Sequence, residues 1–364
     1  MLRRPHLELT RGLALSLVTG LALGIVPGRV NGETPDATVE AAPSVAPLPE
    51  GWANHFAEIR PDPAPKKLTN SRHYLISNED LHTVFKPSLT GKGGVYVGLA
   101  TDQNYTMAAW AESEMLVLID FDQMVVDLHE VYGVIFKEAR TPVAFLDLWQ
   151  SRSQQKVEGL ILDDAPNENI GERRVTAYRK GRRAVERQLN TLLGQYHANG
   201  VATFLEDQRQ YNHLRTLWQQ GKVIPFRADL NGPHAVSDLA RALEAVNRKV
   251  SVLYLSNAEQ YFKYGAAFRA NMLALPMDAD TLVLRTWHVG QVKYIYLVQA
   301  GSNFRLWLQD PRHSFVQSMF KPRWRERPGR LLTIAHTPKP PPKPKPPEDP
   351  RMRHKKEKAK KRRG

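Results

Sequence analysis

Five apolar runs in the sequence each stop at residues able to bind a ligand or move a proton. The run Val95–Leu99 meets Gly98, Asp102 and Asn104, and "MLVLIDF" (Met115–Phe121) closes on Asp120 and Asp122. Lys222–Phe226 leads into Asp229, "VSVLYL" (Val250–Leu255) into Ser256, Asn257 and Glu259, and Thr281–Arg285 into Trp287 and His288. Asp120 and Asp122 lie about twenty residues beyond Gly98, where nucleotide-binding folds place an acid that accepts hydrogen bonds from ribose hydroxyls. A strand-end acid or helix cap is the competing reading. Asp102 and Asn104 tolerate tight turns and suit a cofactor's ammonium or carboxylate group, while Asp102 equally suits an N-cap. "RADLNGP" around Asp229 also fits an ordinary turn. Ser256 or Asn257 with Glu259 forms a capping-box pattern. His288 offers a base, although a lone strand-end histidine is more often structural.

These residues act together only if the strands lie side by side with their carboxyl ends aligned. The pattern between the runs predicts that arrangement. Helices are expected at Asn104–Ser113, Gln123–Ala139, Ala235–Arg248 and Ala258–Met272, with a long helical insertion over about 143–220. Lys293–Val298 and Phe304–Leu308 follow without a helix and are separated by "QAGSN", a hairpin signal. The fold class is therefore α/β: a doubly wound, mostly parallel sheet with helices on both faces and an antiparallel β-hairpin at its edge. Such sheets bind ligands at the carboxyl ends of their strands.

The chain has 364 residues, 42% of them hydrophobic, and a net charge of +14. That charge sits mostly at the ends. Pro338–Gly364 holds twelve Lys/Arg against three acids, and the first 32 residues hold Arg3, Arg4, Arg11 and Arg29 against Glu8, so the body is close to neutral. Residues 1–32 have the form of a signal peptide, with a basic start and the apolar run Gly12–Val26, shorter than the roughly 20 residues a membrane span needs. An exported protein (periplasmic, secreted or envelope-associated) with no integral membrane span after signal cleavage is expected. Residues 33–67 are Pro/Ala-rich and suggest a linker, 68–336 the α/β domain, and 337–364 a disordered Pro/Lys-rich basic tail suited to an anionic envelope polymer. The absence of cysteine excludes disulfides, thiolate zinc sites and cysteine nucleophiles. HExxH, GxSxG and phosphate-loop patterns are missing, and no metal site is expected. The arginine-rich "GERRVTAYRKGRRAVERQL" suits an anionic surface or a solvated helix face.

"GGVYVGLATDQNYT", "VLIDFDQMVVDLHEVY", "PFRADLNGP" and "VSVLYLSNAEQYF" with "FRANMLALPMDADTLVLRTW" together resemble an uncharacterised bacterial protein family, over about Leu68 to Trp287. Its fold is similar to that of class I S-adenosylmethionine-dependent methyltransferases, a Rossmann-like type. The resemblance implies a small adenosyl-type ligand, S-adenosylmethionine among them, in the strand-end pocket. It implies that Gly98, Asp102, Asn104, Asp120, Asp122, Asp229 and Ser256 contact that ligand, with Asp229 near an adenine amino group. Asn257, Glu259 and His288 are then the candidates for orienting or deprotonating a substrate. The first turn departs from the pattern, with Leu99, Ala100 and Thr101 where relatives carry more glycine or proline. That departure favours a non-catalytic or divergent ligand-binding relative; a methyltransferase of unknown substrate is the alternative.

Overall fold

The computed structural model describes residues 47–289, 293–320 and 329–340. The expected signal peptide, the start of the expected linker and the tail from 341 onward lie outside these residues. The elements run α1 (Trp52–Ala57), α2 (Lys86–Leu89), β1 (Val95–Leu99), α3 (Gln103–Ala111), β2 (Met115–Asp120) and α4 (Gln123–Glu138). The insertion follows as α5 (Pro142–Leu148), α6 (Gln154–Asp164), α7 (Glu168–Ala198) and α8 (Gln208–Gln219). Then come β3 (Val223–Arg227), α9 (Ala235–Ala245), β4 (Val250–Tyr254), α10 (Ala266–Ala274), β5 (Leu282–Val289), β6 (Lys293–Ala300), α11 (Gly301–Gln309) and β7 (Leu331–Ile334).

The strands form one seven-stranded sheet in the order β3-β2-β1-β4-β5-β6-β7. β1 to β5 are mutually parallel, β6 runs antiparallel to β5, and β7 pairs parallel with β6. Strand order reverses between β1 and β4, which makes that crevice the topological switch point. β1 is buried along its whole length, as expected for a central strand covered on both faces. Alternation divides its side chains. Tyr96 joins the core built with α3, α4 and the insertion, while Val95, Val97 and Leu99 join the core under α1, α9, α10 and α11.

The insertion packs along α4 through an aromatic cluster that includes Tyr132, Phe136, Phe145, Trp149 and Tyr211. Its arginine run is largely paired within the fold. Arg173 grips Asp127 at 2.6 and 2.9 Å, Arg174 meets Glu130 at 3.1 Å, and Arg179 holds Glu158. These arginines serve α7's attachment to α4 and α6.

Three expectations need correction. Phe304–Leu308 is helical, so "QAGSN" joins β6 to α11 and is no hairpin turn; Phe304, Trp307 and Leu308 recur at helical spacing and all face the core. The antiparallel pair is instead β5 with β6, in register from Leu282 opposite Ala300 to Val289 opposite Lys293. The helix expected from Ala258 is a single 3-10 turn at Ala258–Gln260, and α10 begins only after Gly265, which is extended. Finally, the second half of the expected 33–67 linker is folded. Phe56 and Ile59 are buried in the core, and the Asp62 carboxylate accepts hydrogen bonds from the amides of Asp229, His234 and Ala235 at 3.0, 2.9 and 3.2 Å.

Candidate functional site

The turn after β1 is closed by its own side chains. Asn104 donates from Nδ2 to the carbonyls of Leu99 (2.8 Å) and Thr101 (3.0 Å), and its Oδ1 accepts from Tyr96 Oη at 3.1 Å. A Cβ at Gly98 would overlap this carboxamide, so glycine there makes room for Asn104. Asp102 occupies the N-cap position of α3 without capping it. Its buried carboxyl accepts from the Ser77 amide at 2.8 Å and from Thr101 Oγ1 at 3.1 Å, tying the segment before β1 to the turn.

Ala100 supplies what a glycine would otherwise supply. It sits in the left-handed region at φ 67°, which costs a non-glycine residue about 1–2 kcal/mol. Neighbours hold it there. Its carbonyl accepts from His129 Nε2 at 2.7 Å, and its amide bonds to Asp120. A carbonyl only accepts, so Nε2 carries the proton and Nδ1 accepts from Tyr105 Oη at 3.0 Å. Burial pushes the His129 pKa down to about 4, keeping this bridge neutral. Ser256, after β4, is also left-handed at φ 50°. The two non-glycine residues thus flank the switch point, and such strain clusters at functional sites.

Between the carboxyl ends of β1 to β4 and the covering segment 65–78 lies a cavity of about 360 Å³. That is the lower range of small-molecule sites. Asp120, Asp122, Asp229, Ser256 and Asn257 line it, joined by Gln103. Asp120 accepts from the Asp122 amide at 2.8 Å. Burial raises its pKa to about 7, helped by the nearby Asp122 charge and opposed by the amides bonded to it. Asp122 caps α4 by accepting from the Met124 amide at 3.0 Å, and its second oxygen meets His73 Nδ1 at 2.7 Å. Asp122 thus caps α4 and also lines the cavity. Asp229 accepts from the Asn231 amide at 2.8 Å, the turn its sequence suggested.

The other candidates lie elsewhere. Gly98, Asp102 and Asn104 stand behind the cavity wall and do not line it. Glu259 is buried against Arg285 and Tyr264, with which it makes close hydrogen bonds, and so is engaged away from the cavity. His288 lies within β5, which continues to Val289; its amide donates to Gln260 Oε1 at 3.0 Å and its ring meets Tyr294 edge-on at 5.3 Å. Glu79, absent from the sequence-derived candidates, sits behind Ser256. It accepts from Ser256 Oγ at 2.7 Å and from Tyr254 and Thr286, and it pairs with His82 Nε2 at 2.7 Å. Its place in "YLISNED" before the first strand gave no periodic signal.

A doubly wound sheet with a lined cavity at its switch point defines an α/β protein of the Rossmann-like class. The family described as Domain of unknown function (DUF7790) matches residues 74–330, and the chain belongs to it. No curated protein matches the chain. Among the described residues, no helix is long and apolar enough to cross a membrane, and no group of His, Asp and Glu is arranged to hold a metal ion.

Proposed function

We propose that the chain binds a small adenosyl-type ligand in the switch-point cavity, as a non-catalytic or divergent relative of S-adenosylmethionine-dependent methyltransferases. One observation carries the reading: Asp120, at the end of β2, lines the cavity with its carboxylate beside Asp122, and Asp229 lines the same cavity from the end of β3. An acid at the end of β2 is suited to ribose hydroxyls. The first turn argues against the full cofactor. Asn104 and Asp102, which would hold its amino-acid end, already have partners within the fold. The methyltransferase alternative draws its support from Ser256 and Asn257, which reach the cavity from the end of β4.

Isothermal titration of the full chain with adenosine, S-adenosylhomocysteine and S-adenosylmethionine tests the reading. Binding in the micromolar range is expected, weakened about tenfold or more by Asp120→Asn. Ionised Asp120 is the better acceptor, so affinity should rise as pH increases through about 7 and become flat in the variant. No heat at millimolar ligand would discard the site; methyl transfer to any acceptor would replace the non-catalytic reading with the enzymatic one.

We also propose export through the 1–32 signal, with the basic tail contacting an anionic envelope polymer. The support is compositional: a basic start with a short apolar run, and twelve cationic residues in the last 27. The protein should fractionate with the envelope at low salt and leave it in a high-salt wash. Cytoplasmic fractionation would remove the export reading, and undiminished retention after deletion of 341–364 would remove the role of the tail.

A further inference from the structure

We propose that residues 66–73 form a lid over the cavity, hinged at Asn70 and Ser71 and fastened by a catch between His73 and Asp122. The lid rests on the nucleoside reading of the cavity only for the identity of what it encloses.

The two ends of the covering segment are fixed. Asp62 accepts from the amides of Asp229, His234 and Ala235, and the Ser77 amide donates to the Asp102 carboxyl at 2.8 Å. Pro63 and Pro65 stiffen the near end. Between these anchors, among the described residues, a single hydrogen bond joins the segment to the rest of the fold: His73 Nδ1 to Asp122 Oδ2 at 2.7 Å. A carboxylate only accepts, so Nδ1 carries the proton. The other bonds stay within the segment. The amides of Ser71 and Arg72 donate to the carbonyls of Leu68 and Thr69, and Asn70 Nδ2 donates to Tyr74 Oη at 2.6 Å. No residue from Pro63 to Ile76 is fully buried. A segment with so few buried contacts opens at low cost, independently of the sheet beneath it.

The turn in its middle is strained. Asn70 and Ser71 are adjacent, exposed and both left-handed, at φ 52° and 54°. Only glycine adopts that region freely, and serine enters it less readily than asparagine. The closed lid therefore holds a backbone that relaxes when the segment lifts, and the His73–Asp122 bond opposes that relaxation. Asp122 makes the catch part of the site. It lines the cavity, its Oδ1 caps α4, and its Oδ2 is the oxygen that His73 takes. Its amide donates to the Asp120 carboxylate, so catch and ligand-binding acid are neighbours. Leu68, Thr69 and Tyr74 line the same cavity from the covering side. A nucleoside bonded to Asp120 thus lies between the strand ends and the lid, and a closed catch slows its exit.

Limited trypsin digestion of the full chain, read by mass spectrometry at the bonds after Lys66, Lys67 and Arg72, reports lid opening without a ligand. His73→Ala should raise cleavage at these bonds about tenfold, the effect of losing one partly exposed bond to a charged group. His73→Gln, which keeps a donor, should fall between alanine and wild type. Urea midpoints of both variants should match wild type, because His73 is exposed and the sheet does not depend on it. Adenosine should slow the same cleavages in the wild type and dissociate about tenfold faster from His73→Ala. Cleavage of His73→Ala within about twofold of wild type, or an increase spread equally over the sheet, would overturn the lid. Cleavage that responds to His73→Ala but not to adenosine at ~1 mM would keep the lid and remove the nucleoside reading.

Discussion

Replacing Glu79 with alanine is expected to cost about 3–5 kcal/mol of folding free energy, the range for breaking a buried, hydrogen-bonded ionic cluster. The carboxylate is buried, and four side chains converge on it. Ser256 Oγ and the Thr286 hydroxyl meet Oε1, while His82 Nε2 and the Tyr254 hydroxyl meet Oε2. Alanine would take the acceptor from all four, in a place where water has little access, and leave only the long 3.4 Å contact between His82 Nε2 and the Tyr254 hydroxyl. Ser256 would lose the bond that holds its hydroxyl at the cavity wall. Burial alone would raise the Glu79 pKa, but the bonds from His82, Thr286 and Tyr254 outweigh it and hold the group below its ordinary value. A folded-state pKa below the unfolded one means the stabilisation is present above the unfolded value, near 4.5, and fades as pH falls through the folded value. Urea midpoints of the wild type should therefore fall in acid. Those of Glu79→Gln should fall less steeply, because glutamine has no such charge to lose. A Glu79→Ala protein within about 1 kcal/mol of wild type at neutral pH would show that the cluster is not a keystone.

The parallel strands were legible because strands buried on both faces are short apolar runs, and their ends marked Asp120, Asp122, Asp229, Ser256 and Asn257 as neighbours. The misreadings have local causes. "FRLWL" is too short to separate a two-residue from a helical period, and it folds as a helix because Phe304, Trp307 and Leu308 share one core-facing side. Arg285 looked like a strand end, yet it is 1% exposed, paired with Glu259 and Gln299, with its guanidinium 4.4 Å from the centre of the Phe304 ring. Charge inside a strand is invisible to a hydrophobicity pattern when its partners come from elsewhere. β5 therefore runs on past His288.

The half of the site that was not legible comes from the residues before β1. Asp62, Ser77 and Glu79 each bond to a group far along the chain: Asp229, Asp102 and Thr286, at separations of 167, 25 and 207 residues. Proline-rich composition disguised the first of these as linker.

The covering segment makes Asp62 the position from which cavity and fold are disturbed together, and Asp62→Ala is expected to cost about 2–4 kcal/mol. Its carboxylate stands in for the missing N-cap of α9, since His234 makes no side-chain cap and the amides of His234 and Ala235 point at Asp62 instead. The third amide it receives belongs to Asp229, a wall of the cavity. Its backbone adds an exchange with Arg227: the Asp62 amide donates to the Arg227 carbonyl at 3.1 Å, and Arg227 Nε donates to the Asp62 carbonyl at 2.7 Å. Gly232 is fitted to this contact, because a Cβ there would overlap the carboxylate. Two residues earlier, Arg60 grips Asp238 through Nε at 2.8 Å and Nη2 at 2.9 Å, but its side chain is largely exposed and adds little alone. Without Asp62, the segment 65–78 keeps its far anchors at Ser77 and Glu79 and loses the near one. Amide exchange should therefore accelerate at residues 63–73 and at the start of α9 before the sheet opens. Asp62→Asn, which keeps an acceptor but turns a donor towards one of the amides, should fall between alanine and wild type. Nucleoside affinity should drop in the same order, although Asp62 does not line the cavity. Exchange that rises uniformly across the sheet, with no local excess over 63–73, would show that Asp62 supports the fold as a whole and does not anchor the cover of the site.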